Sequence, residues 1–193
     1  MVIRDLTSYG ADRLDAERRR AIRRALEHFH FRILTDPGLL LQHGWTLSTS
    51  AAQRTGFLPA ESESEYRAHI EEQFECRRPL VVAAFDDSER LVGYFLSHAV
   101  ESDVSLDELV TANWVRGISV ASALYWLSLR MWAAAPGTDT AWLGAPFPPR
   151  EGIDHIKRSM GAMRVDVPMI TRQRWPVRTY LRVARPDSHS RLG

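Results

Sequence analysis

The chain has one cysteine, one lysine, almost no net charge and no long apolar run. Each shortage excludes something. A lone Cys76 cannot form an intramolecular disulfide or a cysteine-rich metal centre, and it fits a reducing compartment. A formal charge of +1, from 25 basic and 24 acidic residues, gives no overall field to recruit nucleic acid or a membrane. No apolar stretch approaches the roughly 18 residues of a bilayer span. Met1-Val2-Ile3-Arg4-Asp5 lacks the apolar segment of a secretion signal. The expectation is a soluble cytoplasmic protein. What is present is ordinary: 193 residues, 45% apolar and 25% charged, enough to bury a core without staples.

The lysine shortage is sharp, because 24 of the 25 basic residues are arginine and only Lys157 is lysine. Such a bias commonly reflects nucleotide composition. Arginine replaces lysine poorly where a compact ammonium is needed, so the survivor invites a functional reading beside the reading of chance.

Hydrophobic spacing divides the chain. Leu14, Ile22, Leu26, Phe29 and Ile33 recur near helical intervals and predict a helix over 11–34, stopped by Pro37-Gly38. Its surface carries Arg18, Arg19, Arg20, Arg23 and Arg24, a solvated face or a contact for phosphates. Residues 45–63 are polar with little periodicity and read as a long loop, either a lid or binding loop that reads the acceptor or a disordered stretch; a short helix follows over 64–76. Leu80–Phe85 and Leu91–Leu96, joined by Asp86-Asp87-Ser88-Glu89, predict a hairpin, with a third strand over Val104–Thr111. Ser119–Ala135 is apolar all round and predicts a buried helix. Then come a short strand over 141–144, a helix over 151–160 with Gly161 as its left-handed cap, a strand over 164–169 and another over 179–183. This order gives an α+β fold, a largely antiparallel twisted sheet with helices on both faces.

The stretch before the buried helix is rich in small residues: Gly117, Ser119, Ala121 and Ser122. Small side chains at a helix N-terminus let a phosphate reach free amides, and Arg116 adds a bidentate donor; tight helix-on-sheet packing favours the same residues. Arg116-Gly117-Ile118-Ser119-Val120-Ala121 resembles the pyrophosphate-binding signature of the GCN5-related N-acetyltransferases, with Ser119 at the middle glycine. The likeness covers roughly residues 78–170. It implies that fold, an acyl-coenzyme A (acetyl-coenzyme A) donor held by Arg116, Gly117, Ile118, Ser119, Val120 and Ala121, and transfer to a primary amine. It divides a single domain, 1–185, into a helical N-terminal part (1–77) and a core (78–170), leaving 186–193 as a flexible tail.

Further on, Ile156-Lys157-Arg158-Ser159-Met160-Gly161 is similar to the Phe-Lys-x-x-Phe-Gly mark of the Fem group. That group includes aminoacyl-tRNA-dependent aminoacyltransferases. The resemblance implies an electrostatic role for Lys157 near the transferred carbonyl, and aminoacyl-tRNA as the alternative donor. For the base that deprotonates the amine, the third strand offers Asp107 and Glu108. With Cys76 outside these motifs, direct transfer is expected rather than a covalent relay, and no metal site is expected. The other reading is a binding or interaction module that keeps the fold without its chemistry.

Overall fold

The computed structural model describes residues 1–55, 61–112, 115, 117–144 and 151–166. Six strands form one sheet in the order β1-β6-β5-β4-β3-β2. They are β1 (Val2–Ile3), β2 (His30–Leu34), β3 (Leu80–Phe85), β4 (Leu91–Val100), β5 (Asp103–Thr111) and β6 (Thr140–Trp142). Every neighbouring pair is antiparallel except β5 and β6. The helices are α1 (Ala16–His28), α2 (Trp45–Thr55), α3 (Glu63–Arg77), α4 (Val120–Ala134) and α5 (Glu151–Ser159).

Alternation along β3 explains the layering. Val82 and Ala84 join Ile22 of α1 and Leu124 and Leu129 of α4 in one apolar core. Val81, Ala83 and Phe85 join Leu47 of α2 and Tyr66 and Ile70 of α3 in the other. A strand buried on both faces needs apolar residues at every position, as Leu80–Phe85 supplies. Helices therefore cover both faces, as expected from the sequence.

Two segments differ from that reading. The helix expected over 11–34 is a 3-10 turn at Ala11–Arg13, a helix and a strand. Asp15 caps α1, its carboxylate accepting from the Arg18 amide at 2.6 Å, and the helix ends at His28. His30–Leu34 then pairs with β3 as an edge strand. Leu26 and Ile33 fitted the helical count, yet they are 42% and 51% exposed. The loop expected over 45–63 is mostly helix. Trp45–Thr55 forms α2, which continues a single turn of wider helix at Leu40–Gly44. Ser62 then opens α3 through a capping box with Glu65.

The remaining elements follow the expected places. Ser119 precedes α4, and Gly161, at φ 87°, ends α5 in the left-handed region. Beyond α5, Met163 bridges to Val2, and Arg164–Asp166 is not strand. Residues 167–169, the strand expected over 179–183 and the tail 186–193 lie outside the described residues. No helix among the described residues is long and apolar enough to cross a membrane.

Candidate active site

The site begins with a defect in strand pairing. Leu96 faces Glu108 and Ser97 faces Leu106, so Asp107 is an extra residue in β5. A bulge of this kind bends its strand and re-aims side chains. Here it inverts the alternation of β5. Before the bulge, Val104 and Leu106 lie in the α1/α4 core; beyond it, Val110 and Ala112 lie in the α2/α3 core. Asp107 and Glu108 therefore sit together on the α3 side.

The same place is where the sheet opens. Among the described residues, β6 pairs with β5 at Asp103–Ser105 alone, whereas β5 runs on to Thr111. Past Trp142, β6 stays with β1 instead, the Leu143 amide donating to the Met1 carbonyl at 2.9 Å. Among the described residues, the two parallel strands thus part near the bulge. Splayed backbone of this kind offers amides to a carbonyl oxygen that gains charge during reaction.

Each carboxylate has a histidine. Asp107 Oδ2 lies 2.5 Å from His98 Nδ1, and its Oδ1 accepts from the Ser105 hydroxyl at 2.6 Å. Glu108 Oε1 accepts from the Tyr94 hydroxyl at 2.8 Å, and Tyr66 donates to Tyr94 at 3.4 Å. Burial holds the Tyr94 hydroxyl well above its ordinary pKa, so it stays a donor. Glu108 Oε2 is buried and without a hydrogen bond, with His69 Nε2 in ion-pair range at 3.4 Å. Contact with that carboxylate raises the His69 pKa first; the charges of Glu61 and Glu72 add to it and burial opposes it. His69 lies on α3, and no sequence signal marks it. Its partner is distant in the chain, and only the fold joins them.

On the opposite face stands the first turn of α4. Gly117 takes a φ of 76°, and a methyl group there would meet nothing within 4 Å. The Ser119 hydroxyl makes no cap to the helix amides and instead bonds Ser122 Oγ at 2.6 Å. Ile118 and Ala121 are half-buried, and Val120 is core. Arg116 lies outside the described residues. Arg18 of α1 reaches this turn, donating to Ser122 Oγ at 2.6 Å and to Ser159 Oγ at 2.9 Å. Arg19 donates to the Leu14 carbonyl at 2.5 Å. Two of the five arginines on this helix thus fasten elements of the fold, which their spacing alone did not reveal.

Lys157 is only 7% exposed. It lies on α5 at the end of β6, where a methyl group on Gly144 would come within 3.8 Å of its Nζ. Burial lowers its pKa, and the charge of Asp154 partly restores it. The Met1 ammonium, which donates to the Gly144 carbonyl at 2.8 Å, shares this neighbourhood. Lys157 thus flanks β6, while Asp107 and Glu108 lie on the α3 side of β5. Among the described residues, no group of three or more His, Cys, Asp or Glu side chains is arranged to hold a metal ion.

No protein-family model matches the chain, and no curated protein matches it. Solved structures do. FemX superposes with a TM-score of 0.67 at 12% identity, over 83% of this chain and 57% of its own. An aminoglycoside N-acetyltransferase in complex with coenzyme A gives 0.57 at 16% identity, over 76% of this chain and 95% of its own. The C-terminal domain of a lysylphosphatidylglycerol synthetase from Agrobacterium fabrum gives 0.55 at 12% identity, over 74% of this chain. The chain spans 45% of that last structure's length. At such identities the likeness is one of architecture, and it agrees with the bulged sheet: the chain has the GCN5-related N-acetyltransferase fold.

Proposed function

We propose that this chain is an N-acyltransferase that passes an acyl group directly from an acyl-coenzyme A donor to a primary amine. The observation that carries this reading is the parting of β5 and β6 near the Asp107 bulge, read as the gap that takes the thioester. It lies between an uncapped helix turn on one face and two carboxylate–histidine pairs on the other. Gly117, Ile118, Ser119, Val120 and Ala121, with Arg116, are the proposed seat of the donor's pyrophosphate. The open space at Gly117 and a first turn that Ser119 does not cap with its side chain suit an anion there. The donor's thioester carbonyl would lie in the gap, where backbone amides stabilise the oxyanion. Asp107 or Glu108, each beside a histidine, belongs to the group that removes the amine's proton. Lys157 supplies positive charge at the end of β6.

The test is thermal stability with and without acetyl-coenzyme A, followed by an acyl-transfer assay. A ligand at a hundred times its Kd adds about 2.7 kcal/mol. A rise in Tm with the coenzyme supports the proposal, and no rise refutes it. A second reading, aminoacyl-tRNA as donor, draws on the buried Lys157 within the Fem-like motif and on the FemX superposition. It predicts a rise with charged tRNA instead, weakening steeply with salt. Indifference to both donors leaves a binding module that keeps the fold alone.

A further inference from the structure

The two carboxylate–histidine pairs are not equivalent. His98 is 12% exposed at the side chain and ties β4 to β5 across the bulge. His69 is 40% exposed, comes from another element, and covers the carboxylate rather than lying beside it. Glu108 Oε1 is engaged by Tyr94, whose hydroxyl is itself engaged by Tyr66. Glu108 Oε2 is sealed from solvent and faces His69 Nε2. An amine arriving from solvent reaches the imidazole before it reaches that oxygen. The ring's other nitrogen, Nδ1, makes no hydrogen bond among the described residues.

From this arrangement we propose that His69, not a carboxylate, is the base that takes the acceptor's proton, and that Glu108 is the residue that positions it. The inference rests on the transferase reading above. Its chemical logic is a matter of matching. A glutamate holds a proton with a reference pKa of about 4.3, against about 10.4 for an alkylamine such as lysine. An imidazole with a carboxylate behind it narrows that mismatch, and a base works best when its pKa lies near the working pH. The groups facing His69 are Glu108 from β5, Glu72 from α3 and Glu61 just before it, all carboxylates.

The step balances as follows. His69 Nδ1 takes one proton from the acceptor's ammonium, freeing the nitrogen lone pair. The C–N bond forms as the thioester carbonyl becomes an oxyanion. Collapse breaks the C–S bond, and the thiolate leaves with its electron pair. A second proton, from the nitrogen of the adduct, ends on the thiolate, and His69 returns the first proton to solvent. Amide, thiol and one released proton are the products.

The test compares His69→Gly, Glu108→Gln and the wild type in acetyl transfer from acetyl-coenzyme A to 1,4-diaminobutane across pH. His69→Gly should lower kcat by about a hundredfold or more, in the range of general base catalysis, and added imidazole should restore part of it. Glu108→Gln should retain measurable turnover with the acid limb of kcat/KM moved to lower pH. Turnover lost in Glu108→Gln but kept in His69→Gly would overturn the proposal and make the carboxylate the base. NMR titration of the His69 ring decides independently of turnover. A midpoint above 6.5 that falls in Glu108→Gln supports the pair, and a midpoint indifferent to that change refutes it. A coupled pair in a protein that binds no acetyl-coenzyme A would sink the transferase reading instead.

Discussion

Gly44→Ala should unsettle the site from a distance. Gly44 ends the turn before α2, and a methyl group on it would lie 1.9 Å from Tyr66 Oη and 2.8 Å from Cζ. Unbonded heavy atoms sit comfortably at about 3.5–4.0 Å, so the ring must retreat by more than an ångström. Tyr66 is 0% exposed and has nowhere to go without disturbing the α2/α3 core. Overpacking of this kind costs about 1–3 kcal/mol. The Tyr66–Tyr94 hydrogen bond, already long at 3.4 Å, would go with it, adding about 0.5–1.5 kcal/mol. Against this, alanine is favoured over glycine in a helix by about 1 kcal/mol. The net expectation is a loss of about 1–3 kcal/mol, read as a lower urea midpoint with unchanged slope. Adding Tyr66→Phe removes the most crowded atom and should recover part of the loss. If Gly44→Ala alone were as stable as the wild type, or more so, the close approach of backbone to hydroxyl would be wrong.

Three further outcomes follow from the same geometry. Tyr94→Phe leaves Glu108 Oε1 and the Tyr66 hydroxyl short of a partner and should cost about 1–3 kcal/mol in chemical denaturation; a change under about 0.5 kcal/mol refutes the network. Gly161→Ala forces a side chain into φ 87° and should cost about 1–2 kcal/mol, which a midpoint matching the wild type contradicts. Lys157, the only lysine, gives a single side-chain signal after reductive 13C-methylation, and it should titrate below the ordinary lysine value of 10.5. Between that lowered pKa and 10.5 the unfolded chain binds more protons than the folded one, so this group makes stability rise with pH across that window. A signal titrating at or above 10.5 refutes the burial of the ammonium.

Much of the framework was legible because its periodicities were strong. The hairpin of β3 and β4, the all-round apolar α4 and the glycine stop after α5 each follow from local rules. The α1–β2 junction was not legible. Ile33 kept the helical count while serving an exposed edge strand, where pairing with β3 outweighs local preference. The α2 helix was hidden by Thr46, Ser48, Thr49 and Ser50, residues that serve loops and helices alike. At the site, the sequence pointed to Asp107, Glu108, Lys157 and the turn at Gly117–Ala121. It did not show that the two acids share a face, because nothing about Asp107 announces a bulge. Nor did it point to His69, whose role depends on how α3 lies against β5.

The bulge also decides where β5 can take a change in length. Deleting Asp107 would leave Leu106 facing Ser97 and Glu108 facing Leu96, so simple alternation returns with both halves of the strand on their present faces. Val110 and Ala112 would stay in the α2/α3 core and Glu108 beside Tyr94 and His69, and the carboxylate facing His98 would be lost. Removing Leu109 instead would act like a reading error carried through every position up to α4, turning Val110 and Ala112 to the other face.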